Sequence, residues 1–237
     1  MDLDWMKAHA ETLFLHDAAG RIVRVHEREG WPAPHFYLGR SRPANLWRFQ
    51  ASLPDGAIRT LGRLAAKEAP LPDIVPAREP EPEPRRMEAF RRVLVDEGIE
   101  IHSEYRGPAF RFPDATLGTR PDPDVVEIGP ENAALLTGPF LDLAGRAPVL
   151  AALDDGRAVS VCHAARGVAE TMVEAGVETL PSHRGRGLAS RVVAAWADAV
   201  RRRGGVPLYS TEWGNAGSRA VARRLGLIQY GEDCHFS

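Results

Sequence analysis

Between Glu174 and Gly205 the chain reads EAGVETLPSHRGRGLASRVVAAWADAVRRRGG, and this segment limits the possible folds more than any other. An apolar strand ends at Leu180 and Pro181, an arginine–glycine loop follows, and a helix is predicted from near Gly187. Leu188, Val192, Trp196 and Val200 recur at four-residue spacing, so one stripe of that helix faces a core. Arg201 to Arg203 stand in its last turn, where cations suit the helix dipole, and Gly204-Gly205 stops it. A strand–glycine loop–helix unit points several backbone N–H groups at one spot, which the helix dipole makes suitable for phosphate. Gly185 and Gly187 allow close approach of the backbone to an anion, and Arg184 and Arg186 add charge. A dinucleotide fingerprint does not fit, because its third glycine is Ser190 and Pro181-Ser182-His183 precedes it. A Walker loop would need Lys followed by Ser or Thr, and there is none here. A structural turn with surface arginines is the alternative reading of the bare loop.

The rest of the chain divides at PLPDIVPAREPEPEP, Pro70 to Pro84. Each proline removes a backbone donor and biases its predecessor away from helix, so 70–84 is read as an extended linker. Residues 1–69 are read as an accessory N-terminal subdomain and 85–237 as the main domain. Before the linker, Thr12 to Leu15 and Ile22 to Val25 flank a turn at HDAAG and predict a hairpin. Phe36 to Leu38 and Leu46 to Phe49 read as strands, and Asp55 to Lys67 as a helix. After it, Arg85 to Asp96 is an amphipathic helix ended by Gly98, and Glu100 to Phe112 contains a strand. Pro130-Glu131-Asn132 opens a helical stretch through Leu141. Val149 to Leu153, Val159 to Ala165 and Met172 to Leu180 are consecutive strands, with Asp155-Gly156 closing an antiparallel hairpin.

Arg184-x-x-Gly187-x-Ala189, after a strand ending Thr179-Leu180-Pro181, resembles the acetyl-CoA pyrophosphate loop of the GNAT N-acetyltransferase superfamily. About thirty residues later, YSTEWGNAGSRAVARRLGL resembles the family's next block: a strand, Asn215 at the mouth of a helix, and a Leu-Gly-Leu ending. The resemblance is specific from about Val149 to the C-terminus and generic before it. It implies an α+β fold: a mixed, mostly antiparallel sheet flanked by helices, with a small N-terminal α/β subdomain added.

The resemblance also implies acetyl-CoA as co-substrate and direct transfer of acetyl to an amine in a ternary complex. Carried over by position, Val177, Glu178 and Thr179 would offer a backbone edge to the pantetheine arm. Arg184, Gly185, Arg186, Gly187, Leu188, Ala189 and Ser190 would cradle the pyrophosphate, with Asn215 and Ser218 at the following helix. Glu174 is the expected base for the amine, and Glu212 the second choice. The family's usual tyrosine acid falls at Ala222, so Tyr230, Tyr209 or water is left to protonate the thiolate. A catalytically silent acyl-CoA-binding sensor or scaffold is the alternative that this departure supports. The acceptor is expected to be a small amine-bearing molecule.

Composition bounds these readings. At 44% hydrophobic and 26% charged over 237 residues, the chain is globular rather than disordered. Thirty basic against thirty-two acidic side chains give no overall pull toward nucleic acid or anionic membrane. Contact of Arg184, Arg186 and Arg201 to Arg203 with nucleic acid is a weak third reading. No apolar run approaches the ~20 residues of a membrane span. MDLDWMKAHAETLF is acidic where a signal peptide is basic, and two cysteines suit a reducing compartment, so a cytoplasmic protein is expected. Cys162-His163 and Cys234-His235 point to opposite faces if each lies in a strand, so no metal site is expected. Cys162 as a nucleophile is the minor alternative to structural packing.

Overall fold

A computed structural model describes residues 2–26, 33–72, 83–114, 122–166 and 171–237. Most of the proline-rich run, 73–82, lies outside the described residues, as do Glu170 and part of the turn-rich TLGTRPDPD. In chain order the elements begin with α1 (Asp2–Leu13), β1 (Phe14–His16), β2 (Ile22–Val25), β3 (Phe36–Ser41) and β4 (Asn45–Phe49). Then come α2 (Asp55–Ala65), α3 (Met87–Asp96), β5 (Glu104–Arg111) and β6 (Val125–Ile128). β7 (Val149–Asp154), β8 (Arg157–Arg166), β9 (Met172–Thr179), α4 (Leu188–Arg202), β10 (Val206–Ser210), α5 (Ala216–Arg224) and β11 (Ile228–Phe236) complete the chain. The expected α+β class, mostly antiparallel sheet with flanking helices, is the observed one.

The described chain falls into two units: Met1–Phe110 with Ser210–Arg219 and Gln229–Ser237, and Arg111–Tyr209 with Ala220–Ile228. In the first, strands run in the order β4-β3-β11-β5. β11 pairs antiparallel with β3 from Phe236↔Phe36 to Gly231↔Ser41, and β3 pairs antiparallel with β4. Alternation sorts the side chains of these strands into two layers. Phe36, Leu38, Cys234 and Phe236 face Leu61, Phe90 and Leu94 of α2 and α3 in one core. On the other side Gly39 and Gly231 leave a smooth patch for Met6 of α1; an added Cβ would come within 2.5 or 2.3 Å of its side chain. Helix α1 itself is a feature that the sequence reading did not draw from the acidic N-terminus.

In the second unit the order is β10-β9-β8-β7-β6, with only the β10–β9 pair parallel. α4 packs against β7, β8 and β9 and buries Val192, Trp196 and Val200, three of the four stripe positions. Ile128, Phe140, Val149, Ala151 and Val161 form a further core. The helix expected from Pro130 to Leu141 is instead two 3-10 segments, Pro130–Leu135 and Gly138–Leu143. Asn132 explains the break at its start: its side chain accepts from Gly129 N and donates to Glu127 O, competing with helical bonding.

Candidate functional site

The second unit holds the loop on which the sequence reading turned. β9 pairs with β8 from Ser160↔Thr179 to Arg166↔Glu174. On its other side it pairs with β10 only through Met172, Val173 and Glu174. From Ala175 to Thr179 the strand therefore has a sheet partner on one side alone among the described residues. A strand with one open edge can receive an extended, amide-bearing ligand through its N–H and C=O groups. Val177, Glu178 and Thr179 are on that stretch, with Glu178 exposed.

Past β9 the chain makes a 3-10 turn, Pro181–His183, and enters α4 through Gly187. Gly187 is the residue before the helix and is left-handed, φ 76°, with no side-chain cap. The first intrahelical bond runs from Arg191 N to Gly187 O, so the N–H groups of Leu188, Ala189 and Ser190 have no intrahelical acceptor. Gly185 is also left-handed, φ 76°. Arg184 donates from Nε to Thr179 O at 3.2 Å and Arg186 from Nη2 to Ser182 O at 3.3 Å, so both fold back on their own turn. His183 anchors the turn: its Nε2 lies 2.9 Å from Asp154 Oδ2 and its Nδ1 2.9 Å from Ser182 Oγ.

One guanidinium at this loop was missed from the sequence. A Cβ at position 187 would lie 3.0 Å from Nη1 of Arg224, which therefore rests against the glycine. Arg223 and Arg224 end α5 and read in sequence as cations at a helix C-terminus. Only the folded chain brings one of them to the loop. Arginine's planar fork suits phosphate oxygens, and Arg224 is exposed.

Glu174 is 4% exposed, at the position where the two pairings of β9 meet, opposite Arg166 on β8 and Leu208 on β10. Glu178, four residues on, is exposed. Of the remaining sequence-selected residues, Glu212, Asn215, Ser218 and Tyr230 belong to the first unit, and Tyr209 and Ala222 to the second. Asn215 accepts from Ser218 N at 3.0 Å, which makes it the N-cap of α5. Tyr230, expected as a thiolate acid, is fully buried; its hydroxyl meets His9 Nδ1 at 2.8 Å and its ring stacks on Trp5. That environment gives it a packing role. Tyr209 and Ala222 are buried as well. Glu212 is exposed beside Trp213.

Cys162 and Cys234 are free and fully buried, and burial pushes both thiols well above their ordinary range. A thiol held protonated is a poor nucleophile, which argues against covalent catalysis at Cys162. Among the described residues no group of three or more His, Cys, Asp or Glu could hold a metal ion, and no helix is long and apolar enough to cross a membrane.

Comparison with known proteins agrees with the segment from which the resemblance was read. The GNAT acetyltransferase family model matches residues 149–232. No curated protein matches the sequence. Among solved structures, a GNAT-family protein from Novosphingobium aromaticivorans is 22% identical with a TM-score of 0.49. That match covers 58% of this chain and 65% of the other, so the chain spans about two-thirds of that protein's length. A GCN5-related N-acetyltransferase-like protein from Streptococcus suis is 16% identical, covers 86% and 85%, and has a TM-score of 0.49. The yncA protein of Salmonella typhimurium, solved with its cofactor acetyl-CoA, is 26% identical over 38% of this chain and 61% of its own, TM-score 0.30.

Proposed function

We propose that this chain, whose residues 149–232 match the GNAT acetyltransferase family model, transfers an acetyl group from acetyl-CoA to the amine of a small acceptor. The observation that carries the reading is the open edge of β9 at Ala175 to Thr179, followed at once by the left-handed glycines and unsatisfied N–H groups at the start of α4. An extended arm with amides and a doubly charged diphosphate are the two chemistries such a strand and such a turn accept. These features fit coenzyme A: Val177 to Thr179 hold the pantetheine arm through the backbone, and Arg184 to Ser190 hold the diphosphate. Arg224 adds a cation at Gly187 that the sequence reading lacked. When bound, the thioester supplies an activated acetyl group.

In this proposal Glu174 takes the proton of the attacking amine. It is a buried carboxylate, and a positioned base contributes roughly 10²–10⁴-fold to such a step. Tyr230 is not assigned the acid step, because its hydroxyl is committed to His9. A thiolate is a tolerable leaving group near neutral pH, so water suffices for its protonation. Asn215 and Ser218 act first as the cap of α5 and present that helix start as part of the family's second block.

Mass spectrometry of the purified protein for retained coenzyme A, followed by a thiol-release assay over a panel of amines, tests the proposal. Amine-dependent release is expected, with Glu174→Gln lowering kcat by about 10²-fold or more while coenzyme A affinity holds. Ala222, buried where the family usually has its tyrosine, favours a second reading, an acyl-CoA sensor without turnover. Tight binding with no thiol release from any amine would select that reading, and no binding of coenzyme A would overturn both.

A further inference from the structure

A second charged site lies wholly in the first unit, and it begins with a glycine. At Gly107 a Cβ would fall 1.8 Å from Thr211 O, so only glycine lets the segment after β10 lie along β5. There Thr211 N donates to Pro108 O and Trp213 N to Arg106 O, which sets the indole beside Arg106. The carboxylate of Glu232, fully buried on β11, ties the cluster together. Its Oε2 accepts from Trp213 Nε1 at 2.7 Å and Arg106 Nη2 at 2.9 Å, and its Oε1 from Arg40 Nη1 at 2.7 Å.

Arg219 of α5 is the member this network does not explain. Its guanidinium stands 5.9 Å from the Trp213 ring centre, and that of Arg106 stands 6.0 Å from the same ring. Among the described residues Arg219 has no carboxylate within salt-bridge distance, and its Nε is shielded from solvent with no acceptor. A permanent cation with a shielded, unmet donor is costly unless an anion completes it. Neither arginine is sealed off: the Arg106 side chain is 19% exposed and Arg219 is half-buried.

We propose that Arg106 and Arg219, both set against Trp213, form a binding site for a small organic carboxylate. Two planar guanidinium groups match the two oxygens of a carboxylate, and the Trp213 indole, only 7% exposed, lies against both cations. Glu232 sets the charge preference. Its own carboxylate touches Arg106, so a dianion such as phosphate meets more repulsion there than a monoanion does. The site stands on these side chains alone and does not depend on acetyl transfer.

Calorimetric titration of the full chain with sodium benzoate, and separately with inorganic phosphate at equal ionic strength, tests it. Saturable benzoate binding is expected, weakened about tenfold or more by Arg219→Gln and less by Arg219→Lys, which keeps the charge but not the fork. Arg223→Gln, on the same helix but outside the cluster, should leave it unchanged. Far-UV circular dichroism checks that each variant is folded. Absence of saturable benzoate binding to the unaltered chain, equal affinity in Arg219→Gln, or tighter binding of phosphate than of benzoate would each overturn the proposal.

Discussion

At position 187 two constraints meet on one residue. The backbone is left-handed, and the space a side chain would enter is held by Arg224. Gly187→Ala should cost about 1 kcal/mol in stability from the backbone alone, because a Cβ is disfavoured at positive φ. Gly187→Glu adds a carboxylate where the proposal places the diphosphate, and it should abolish measurable coenzyme A binding in calorimetry. Retained affinity in the glutamate variant would remove the loop assignment. The glycines and the loop arginines were legible because their chemistry is local: strand, turn and helix start lie within a dozen residues. Arg224 was not, since nothing about the last turn of α5 announces which surface it will meet. Tyr230 shows the same limit from the other side. Its partner His9 is 221 residues away, and no spacing rule could have paired them.

At the scale of elements, α4 is the piece that holds the loop. Trp196 on its buried stripe is fully enclosed and packs near Phe112 with ring centres 6.4 Å apart. Trp196→Ala should therefore cost about 3–5 kcal/mol in denaturant unfolding. Outside the stripe, Arg191 of α4 donates to Asp122 at 2.5 and 2.6 Å, and these bonds hold the Asp122 carboxyl below its ordinary range. A carboxyl lowered on folding stabilises fully above the ordinary carboxylate range, and its contribution is lost as pH falls through the lowered folded value. With Arg191 34% and Asp122 26% exposed, screening limits the pair to about 0.5–1 kcal/mol. Asp122→Asn should thus lower the melting temperature slightly at pH 7, and the gap to the unaltered chain should close in strong acid. A gap that stays constant with pH would mean that the pair does not stabilise α4. The helix itself was legible from its four-residue period. The 3-10 segments after Pro130 were not, because an Asn side chain bonding its neighbours' backbone overrides the proline start signal.

For the whole molecule, the telling strand is β3. It lies before the proline run, in the 1–69 stretch set apart in the sequence reading, yet its register on β11 runs unbroken from Phe36↔Phe236 to Ser41↔Gly231. Phe36 and Leu38 share one core with Phe90, Leu94 and Phe236. Deleting residues 1–69 would strip β3, one of its two neighbours, from β11 and open that core, so the shortened chain should lose its cooperative thermal transition. A sharp melt from residues 70–237 would instead show that the later part folds unaided.

The amino-acid order alone specified what short-range chemistry can specify. The hairpin at Asp155-Gly156, the period of α4, the glycine turn and the block after β10 each depend on neighbours a few residues apart. Tertiary structure decided what depends on distant neighbours: the smooth Gly39–Gly231 patch under Met6, the placing of Arg224 on Gly187, and the buried meeting of Arg40, Arg106 and Trp213 on Glu232. Such contacts are set by which strands become adjacent, and adjacency follows from burial of the entire apolar surface rather than from any local signal.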